Sequence, residues 1–269
     1  MSMLSKVWRA MLANPFRLLP VSFAVMIGLG TLLLLLPQAT VAGRKTTVLD
    51  ALFTATSAVC VTGLSVVDTA THWTGFGQGM ILLLIQIGGL GIVTVVSIGI
   101  VLLADRIGLS HTRILAADLR VDSYSDVPKL VRNIVLTTVA FEAVFALVLA
   151  ARFFFAHDYE FQTAAVHGVF HSISAWNNAG FALYTDNFMG FANDWFFSIA
   201  VCLAVILGGI GFPVLRSLAV HKLKWRMWPM HSKLMISATA VLLVLGSVLF
   251  LVFEWSNPRT LGALPDSAR

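Results

Sequence analysis

Two short stretches hold the residue types from which an ion site can be built. Val61-Thr62-Gly63 follows an apolar run rich in threonine, and Asn178-Ala179-Gly180 follows a similar run later in the chain. Glycine tolerates positive φ, so extended backbone with Gly63 or Gly180 at its tightest point can turn carbonyl oxygens toward a common axis. A ring of such oxygens replaces the hydration shell of a potassium ion. The side-chain oxygens of Thr62 and Asn178 are a second source of ligands, but the backbone carbonyls are the stronger reading. The competing reading makes Gly63 and Gly180 ordinary helix C-cap glycines.

Other residues invite chemistry and carry less. His167 and His171 share a helical face, but His-Gly-Val-Phe-His lacks the glutamate of the metalloprotease motif, so packing or hydrogen bonding is expected there instead of a metal. Glu142 sits in an apolar run, where a carboxylate is costly unless paired or wet, which leaves a functional and a hydrogen-bonded structural role open. The triplets Gly88, Gly89, Gly91 and Gly208, Gly209, Gly211 follow no soluble strand, so close helix packing is preferred to a dinucleotide loop. Cys60 and Cys202 lie in apolar surroundings and give no disulfide or metal spacing.

The elements that must position these residues are membrane helices. Of 269 residues, 58% are hydrophobic and 12% charged, with a mean hydropathy of +0.87. Soluble domains are about 25% charged, so the composition excludes a soluble enzyme, a disordered chain and a disulfide scaffold. Spans are expected over Leu18–Leu36, Gln78–Ala104, Asn133–Ala156, Trp195–Leu218 and Leu234–Phe253. The first run is longer than a signal-peptide core, although Ala39–Ala42 loosely resembles a cleavage site. Thr47–Val67 and Gln162–Tyr184 are too short and polar to span yet too apolar for solvated loops. They read as re-entrant, each a half-helix followed by irregular backbone that must line a water-filled path. Thr47 and Asp50 have the spacing of a capping box at the start of the first half-helix, Thr47–Ala58. Its C-terminal end brings partial negative charge to mid-membrane.

The two units repeat. Phe53 and Phe170, Ser57 and Ser174, Ala58 and Ala175, and Gly63 and Gly180 share an offset of 117, and Gly88-Gly89-Leu90-Gly91 matches Gly208-Gly209-Ile210-Gly211 at 120. Basic residues orient the chain. Three precede the first span, five lie in Asp105–Arg132 and five in Arg216–Lys233, 13 of the 18 in all, and these segments are expected to be cytoplasmic. The outer side then carries Asp50, Asp68, Asp158, Glu160, Asp186, Asp194 and Glu254, an acidic mouth that would concentrate cations, or simply solvated loop charges. The basic, aromatic stretch His221–Lys233 suits anionic lipid or a regulatory partner better than nucleic acid.

Ala51–Asp68, Leu83–Thr94 (LLIQIGGLGIVT), Ala175–Asp186 (AWNNAGFALYTD) and Leu207–Leu215 (LGGIGFPVL) resemble the Trk/Ktr/HKT superfamily of potassium transporters, most closely its KtrB-type subunits. The resemblance implies an all-α membrane protein of tandem helix–pore-loop–helix repeats, potassium-channel-like, and not an enzyme. It implies a filter at Val61, Thr62, Gly63, Asn178, Ala179 and Gly180, and potassium as the transported ion, with sodium a candidate coupling or activating ion. In plant relatives a serine at the first filter position accompanies sodium preference, so Gly63 implies potassium. Homodimers in the bacterial inner membrane, on a cytoplasmic nucleotide-binding ring of the KtrA type, follow from the same resemblance. The organisation expected is a cytoplasmic N-terminus (1–16), a first repeat (17–104), a cytoplasmic loop (105–132), a second repeat (133–218), a cytoplasmic loop (219–233) and the first helix of an incomplete third repeat (234–269). The family's third and fourth filter loops are not in this sequence. A C-terminal truncation is therefore expected, with no conduction by the 269-residue chain alone. Alternatives are self-pairing of a two-loop subunit and, more remotely, an intramembrane enzyme.

Overall fold

The computed structural model describes residues 15–91, 127–222, 224–258 and 260. Among these it is helical, with a single isolated β-bridge between Thr40 and Trp73. The described residues form two compact units, divided between Gly209 and Ile210.

In the first unit, α1 (Pro15–Leu34) leads through Thr40–Arg44 to α2 (Val48–Val59). The expected capping box starts α2: Asp50 N–H donates to Thr47 Oγ1 at 3.1 Å and Thr47 N–H to Asp50 Oδ2 at 3.0 Å. With 12 residues, α2 is about 18 Å long, half a bilayer. The short α3 (Thr69–His72) and α4 (Gly75–Gly89) follow. The second span was expected to run from Gln78 to Ala104. Helix α4 instead closes at Gly89, and Gly91 at φ +79° carries the chain out of helical geometry. Residues 92–104 lie outside the described residues, as do most of the expected loop 105–132 and its basic residues.

Next come α5 (Val127–Ala156), α6 (Phe161–Trp176) and α7 (Trp195–Gly209). Gly168 sets the α5–α6 approach, because a Cβ there would sit 2.7 Å from both Ala146 O and Ala150 Cβ. One core gathers Ala51, Ala55, Ala58, Trp73, Ile81 and Ile85 with Phe170, Ala179 and Phe181, so elements from both halves of the unit share it. A second core centres on Leu149, Phe153, Phe191 and Phe197.

The second unit holds α8 (Phe212–His221) and α9 (Met230–Glu254). A 2.9 Å bond between the Ser217 and Ser232 hydroxyls links them. The span expected over Trp195–Leu218 is thus two helices, α7 and α8. Gly211 sits at φ +84° and Pro213, which has no N–H, occupies the first turn of α8, so one ladder of hydrogen bonds cannot run through. Within the described residues, Val131–Ala156 and Met230–Glu254 are long and apolar enough to cross a membrane. They match the expected third and fifth spans. The chain is an all-α membrane protein.

Candidate functional site

Helices α2 and α6 end alike. After α2, Thr62 N–H donates to Ser57 O at 2.9 Å and Val61 N–H to Ala58 O at 3.3 Å. After α6, Ala179 N–H donates to Ser174 O at 2.7 Å and Asn178 N–H to Ala175 O at 3.0 Å. These nested bonds form a Schellman termination, which needs a left-handed residue at its turn. That residue is Val61 at φ +55° and Asn178 at φ +56°. The cap position is therefore not a glycine in either loop. Gly63 (φ +71°) and Gly180 (φ +73°) stand two residues further on, as a second left-handed step. The loops are less extended than expected, because closing the helix end takes one left-handed residue before the glycine.

The two loops meet. A Cβ on Gly63 would fall 2.6 Å from Ala179 O and 3.0 Å from Gly180 Cα, and one on Gly180 would fall 3.1 Å from Gly63 Cα. So Val61, Thr62, Gly63, Asn178, Ala179 and Gly180 form one place, with Gly180 and Asn178 exposed and Ala179 buried. The Thr62 hydroxyl is engaged locally, 3.0 Å from Ser57 Oγ. Ser174 Oγ in turn donates to Phe181 O at 2.6 Å. Both serines are buried and brace their own loop. Their bracing role was missed in the sequence, although their shared offset marks them.

The paired glycine triplets explain how the loops are backed. A Cβ on Gly88 would strike Val59 O, and one on Gly208 would strike Trp176 O. In each case a glycine of the following helix lies against the last carbonyl of the half-helix. The first glycine of each triplet thus packs closely, as expected, whereas the last, Gly91 and Gly211, instead takes positive φ at a helix boundary.

His171 is fully buried, and both its ring nitrogens are engaged. Nδ1 is 2.8 Å from His167 O and Nε2 accepts from Leu183 N–H at 3.1 Å. His167 Nδ1 meets Tyr184 Oη at 2.9 Å, and the Tyr184 ring stacks on His171. The two histidines thus hold the segment that leaves the second loop. Glu142 is buried and accepts from Gln86 and Asn177.

Several of the expected outer acidic residues have local work. Asp50 caps α2 and Asp68 caps α3, accepting from Ala70 N–H at 2.8 Å. Asp68 also accepts from Thr185 Oγ1 at 2.7 Å, joining the segments that follow the two loops. Burial works against the charged Asp68, but hydrogen bonds from Thr185, Ala70 and Thr71 outweigh it and hold its pKa below the usual carboxylate range. Asp194 takes Arg152 Nε at 2.8 Å and Nη2 at 3.0 Å, with His157 Nε2 also at 2.8 Å. The Arg152 guanidinium holds the Asp194 carboxyl well below its ordinary value, against the cost of burial.

Residues 6–256 match the family described as TrkH, cation transport protein. The chain is 37% identical over 251 residues to Ktr system potassium uptake protein B of Bacillus subtilis, covering 93% of this chain and 55% of that protein. It is 38% identical over 255 residues to the protein of the same name from Vibrio alginolyticus, covering 92% and 54%. To the potassium/sodium uptake protein NtpJ of Enterococcus hirae it is 36% identical over 242 residues, covering 90% and 53%. The chain spans about half the length of these curated relatives. A family match over nearly the whole sequence, with relatives above one-third identity, means that this chain belongs to the TrkH family of cation transport proteins, which are transporters and not enzymes.

Proposed function

We propose that the protein carries potassium into the bacterial cell across the cytoplasmic membrane, as the translocating subunit of a Ktr/Trk-type system. Backbone carbonyls of Val61–Gly63 and Asn178–Gly180 serve as part of its selectivity filter. The observation that carries this reading is the pairing of two loops with the same left-handed, Schellman-closed geometry. Each follows a half-helix, and the two touch at Gly63 and Gly180. A half-helix presents the negative end of its dipole where such a loop begins, which favours a cation there. The names of the relatives, potassium uptake in two cases and potassium/sodium uptake in the third, support potassium as cargo and sodium as coupling or activating ion.

In this reading residues 17–104 and 133–218 are two helix–pore–helix repeats, 105–132 and 219–233 are cytoplasmic, and 234–269 begins a third repeat. The N-terminal segment 1–16 is cytoplasmic as well. The membrane subunits pair as a homodimer on a KtrA-type nucleotide-binding ring. The stretch His221–Lys233 faces anionic lipid or that ring, and nucleic acid plays no part.

The test is growth of a potassium-uptake-deficient bacterium at low external potassium, with the protein expressed from its full coding sequence. Restored growth, with rubidium uptake that potassium competes for and sodium does not, is expected. Membrane-inserted protein that restores neither would overturn the reading.

A further inference from the structure

Behind the second glycine loop, three polar side chains from three elements close on one another. Glu142 on α5 accepts from Gln86 Nε2 on α4 through Oε2 and from Asn177 Nδ2 through Oε1, both at 3.1 Å. Asn177 Nδ2 also lies 3.2 Å from Gln86 Oε1 and 2.9 Å from Ile173 O. The backbone carbonyl of Glu142 accepts from Ser172 Oγ at 2.6 Å, which fixes α5 against α6 at this level. Asn177 is the C-cap residue of α6, the last before left-handed Asn178. Nearly one turn beyond Gln86, a Cβ at Gly89 would strike the Asn177 side-chain amide, so α4 meets Asn177 at two positions.

The arrangement belongs to one loop only. The repeat counterpart of Asn177 is Cys60, an exposed residue, and that of Gln86 at the glycine-triplet offset is Ile206. Neither side chain can rebuild the cluster. A carboxylate offers acceptors alone, so it orients both amides at once. Gln86 must present Nε2, and Asn177 must present Nδ2. Glu142 is buried and both amides are half-buried, so a donor left facing a donor is costly.

We propose that Glu142 is a positioning residue for ion selection: through Asn177 it sets the geometry of the second glycine loop and ties that loop to α4, the helix that follows the first. The inference rests on reading the loops as a selectivity filter. Glu142 touches no ion in this scheme. It acts through the amide that opens the loop.

The experiment compares Glu142→Gln, Gln86→Leu and the exchanged pair Glu142→Gln/Gln86→Glu with the parent, expressed from the full coding sequence at equal membrane abundance. Glu142→Gln sets one amide donor against another. It should lower potassium-over-sodium discrimination in competed rubidium uptake about tenfold, the scale of one lost hydrogen bond. Gln86→Leu should lower it in the same direction. The exchanged pair keeps one carboxylate and every donor–acceptor match, so it should recover most of the discrimination. A residue that merely holds the fold would change abundance without changing the ratio of the two ions.

Hydrogen–deuterium exchange gives a readout that needs no transport. In Glu142→Gln, amides 178–183 should exchange about tenfold faster while 61–66 stay unchanged. Unaltered discrimination and unaltered exchange in both single variants would overturn the proposal, as would a pair no better than Glu142→Gln. If Glu142→Gln fails to insert, Gln86→Leu and the pair decide the matter alone. A parent that carries no potassium, while exchange responds as described, would sink the filter reading and leave the brace standing.

Discussion

At Gly63 two constraints coincide. Its φ of +71° disfavours any side chain, and a Cβ would press on Ala179 O across the loop contact. Serine there must therefore shift either its own carbonyl or that of Ala179. Gly63→Ser is expected to weaken discrimination of potassium against sodium about tenfold, in line with the cost of a left-handed residue that carries a side chain. Competition uptake at matched expression checks this, and an unchanged ratio would remove Gly63 from the filter. Val61 is the more unusual residue, β-branched yet left-handed, where Asn178 does the same job at lower cost. Strain of this kind persists only when its surroundings impose it, and here the Schellman turn does so. His72, outside the spans, gives a pH signature. Burial, and then the nearby Arg44, push its pKa below the ordinary value, while the unfolded chain titrates near 6.5. On acidification the unfolded state therefore takes up a proton before the folded one does, so stability falls as pH drops through about 6.5. Thr46 Oγ1 lies 2.9 Å from His72 Nε2, and glutamine, whose amide reaches the same position, can keep a bond there without titrating. The melting temperature of the purified protein should fall less between about pH 7 and about pH 5.5 in His72→Gln than in the parent. Equal slopes would refute the assignment.

The unit at the scale of elements is a half-helix, its capped loop and the helix that backs it. The backing contact is backbone on backbone, Gly88 against Val59 O and Gly208 against Trp176 O, and it leaves no room for a methyl group. Gly88→Ala and Gly208→Ala should each destabilise the protein by about 1–3 kcal/mol, the usual cost of overpacking. A methyl group on Gly246 in α9 would meet nothing within 4 Å, so Gly246→Ala should be neutral or stabilising by up to ~1 kcal/mol. Thermal unfolding in detergent distinguishes the two classes. Matching losses at all three positions would refute the loop contact as their cause, since alanine is the better helix former and Gly246 has no neighbour for a methyl group to press on. The capping box at Thr47 and Asp50 gives α2 a defined start. Asp68, bonded to Thr185, joins the segments that follow the two loops. The loops are thus held from the helix side by glycine contacts and from the segments that follow them by a carboxylate.

For the molecule as a whole, orientation in the membrane follows from charge. The segments carrying 13 of the 18 basic residues should all lie in the cytoplasm. A cysteine at Ser123, in the Asp105–Arg132 segment, should resist an impermeant thiol reagent in intact cells and react once the membrane is opened. Ready labelling from outside would invert the topology. Helix α9 suits the same picture, since Leu242–Leu245 and Val248–Phe253 expose apolar side chains along it. Such a surface is at home against lipid or apolar protein, and not against water.

Much of this was legible in the order of residues. Composition alone demands a membrane, because so few charged groups cannot cover a globule in water. The capping box and the half-helix length of α2 are local signals, and local physics decides them; the two offsets of 117 and 120 are legible by comparing the halves of the chain. Helix ends were less legible. Gly91 and Gly211 stop α4 and α7 by adopting positive φ, whereas Gly77 and Gly88 stay helical, and only packing distinguishes such glycines. The left-handed turn at Val61 was hidden for the same reason, since valine carries no preference for it. Contact between Gly63 and Gly180, and the closure of Gln86, Glu142 and Asn177 on one another, belong to the tertiary structure entirely. These residues come from elements far apart in the chain, and burial supplies the desolvation that turns their amides and carboxylate toward one another.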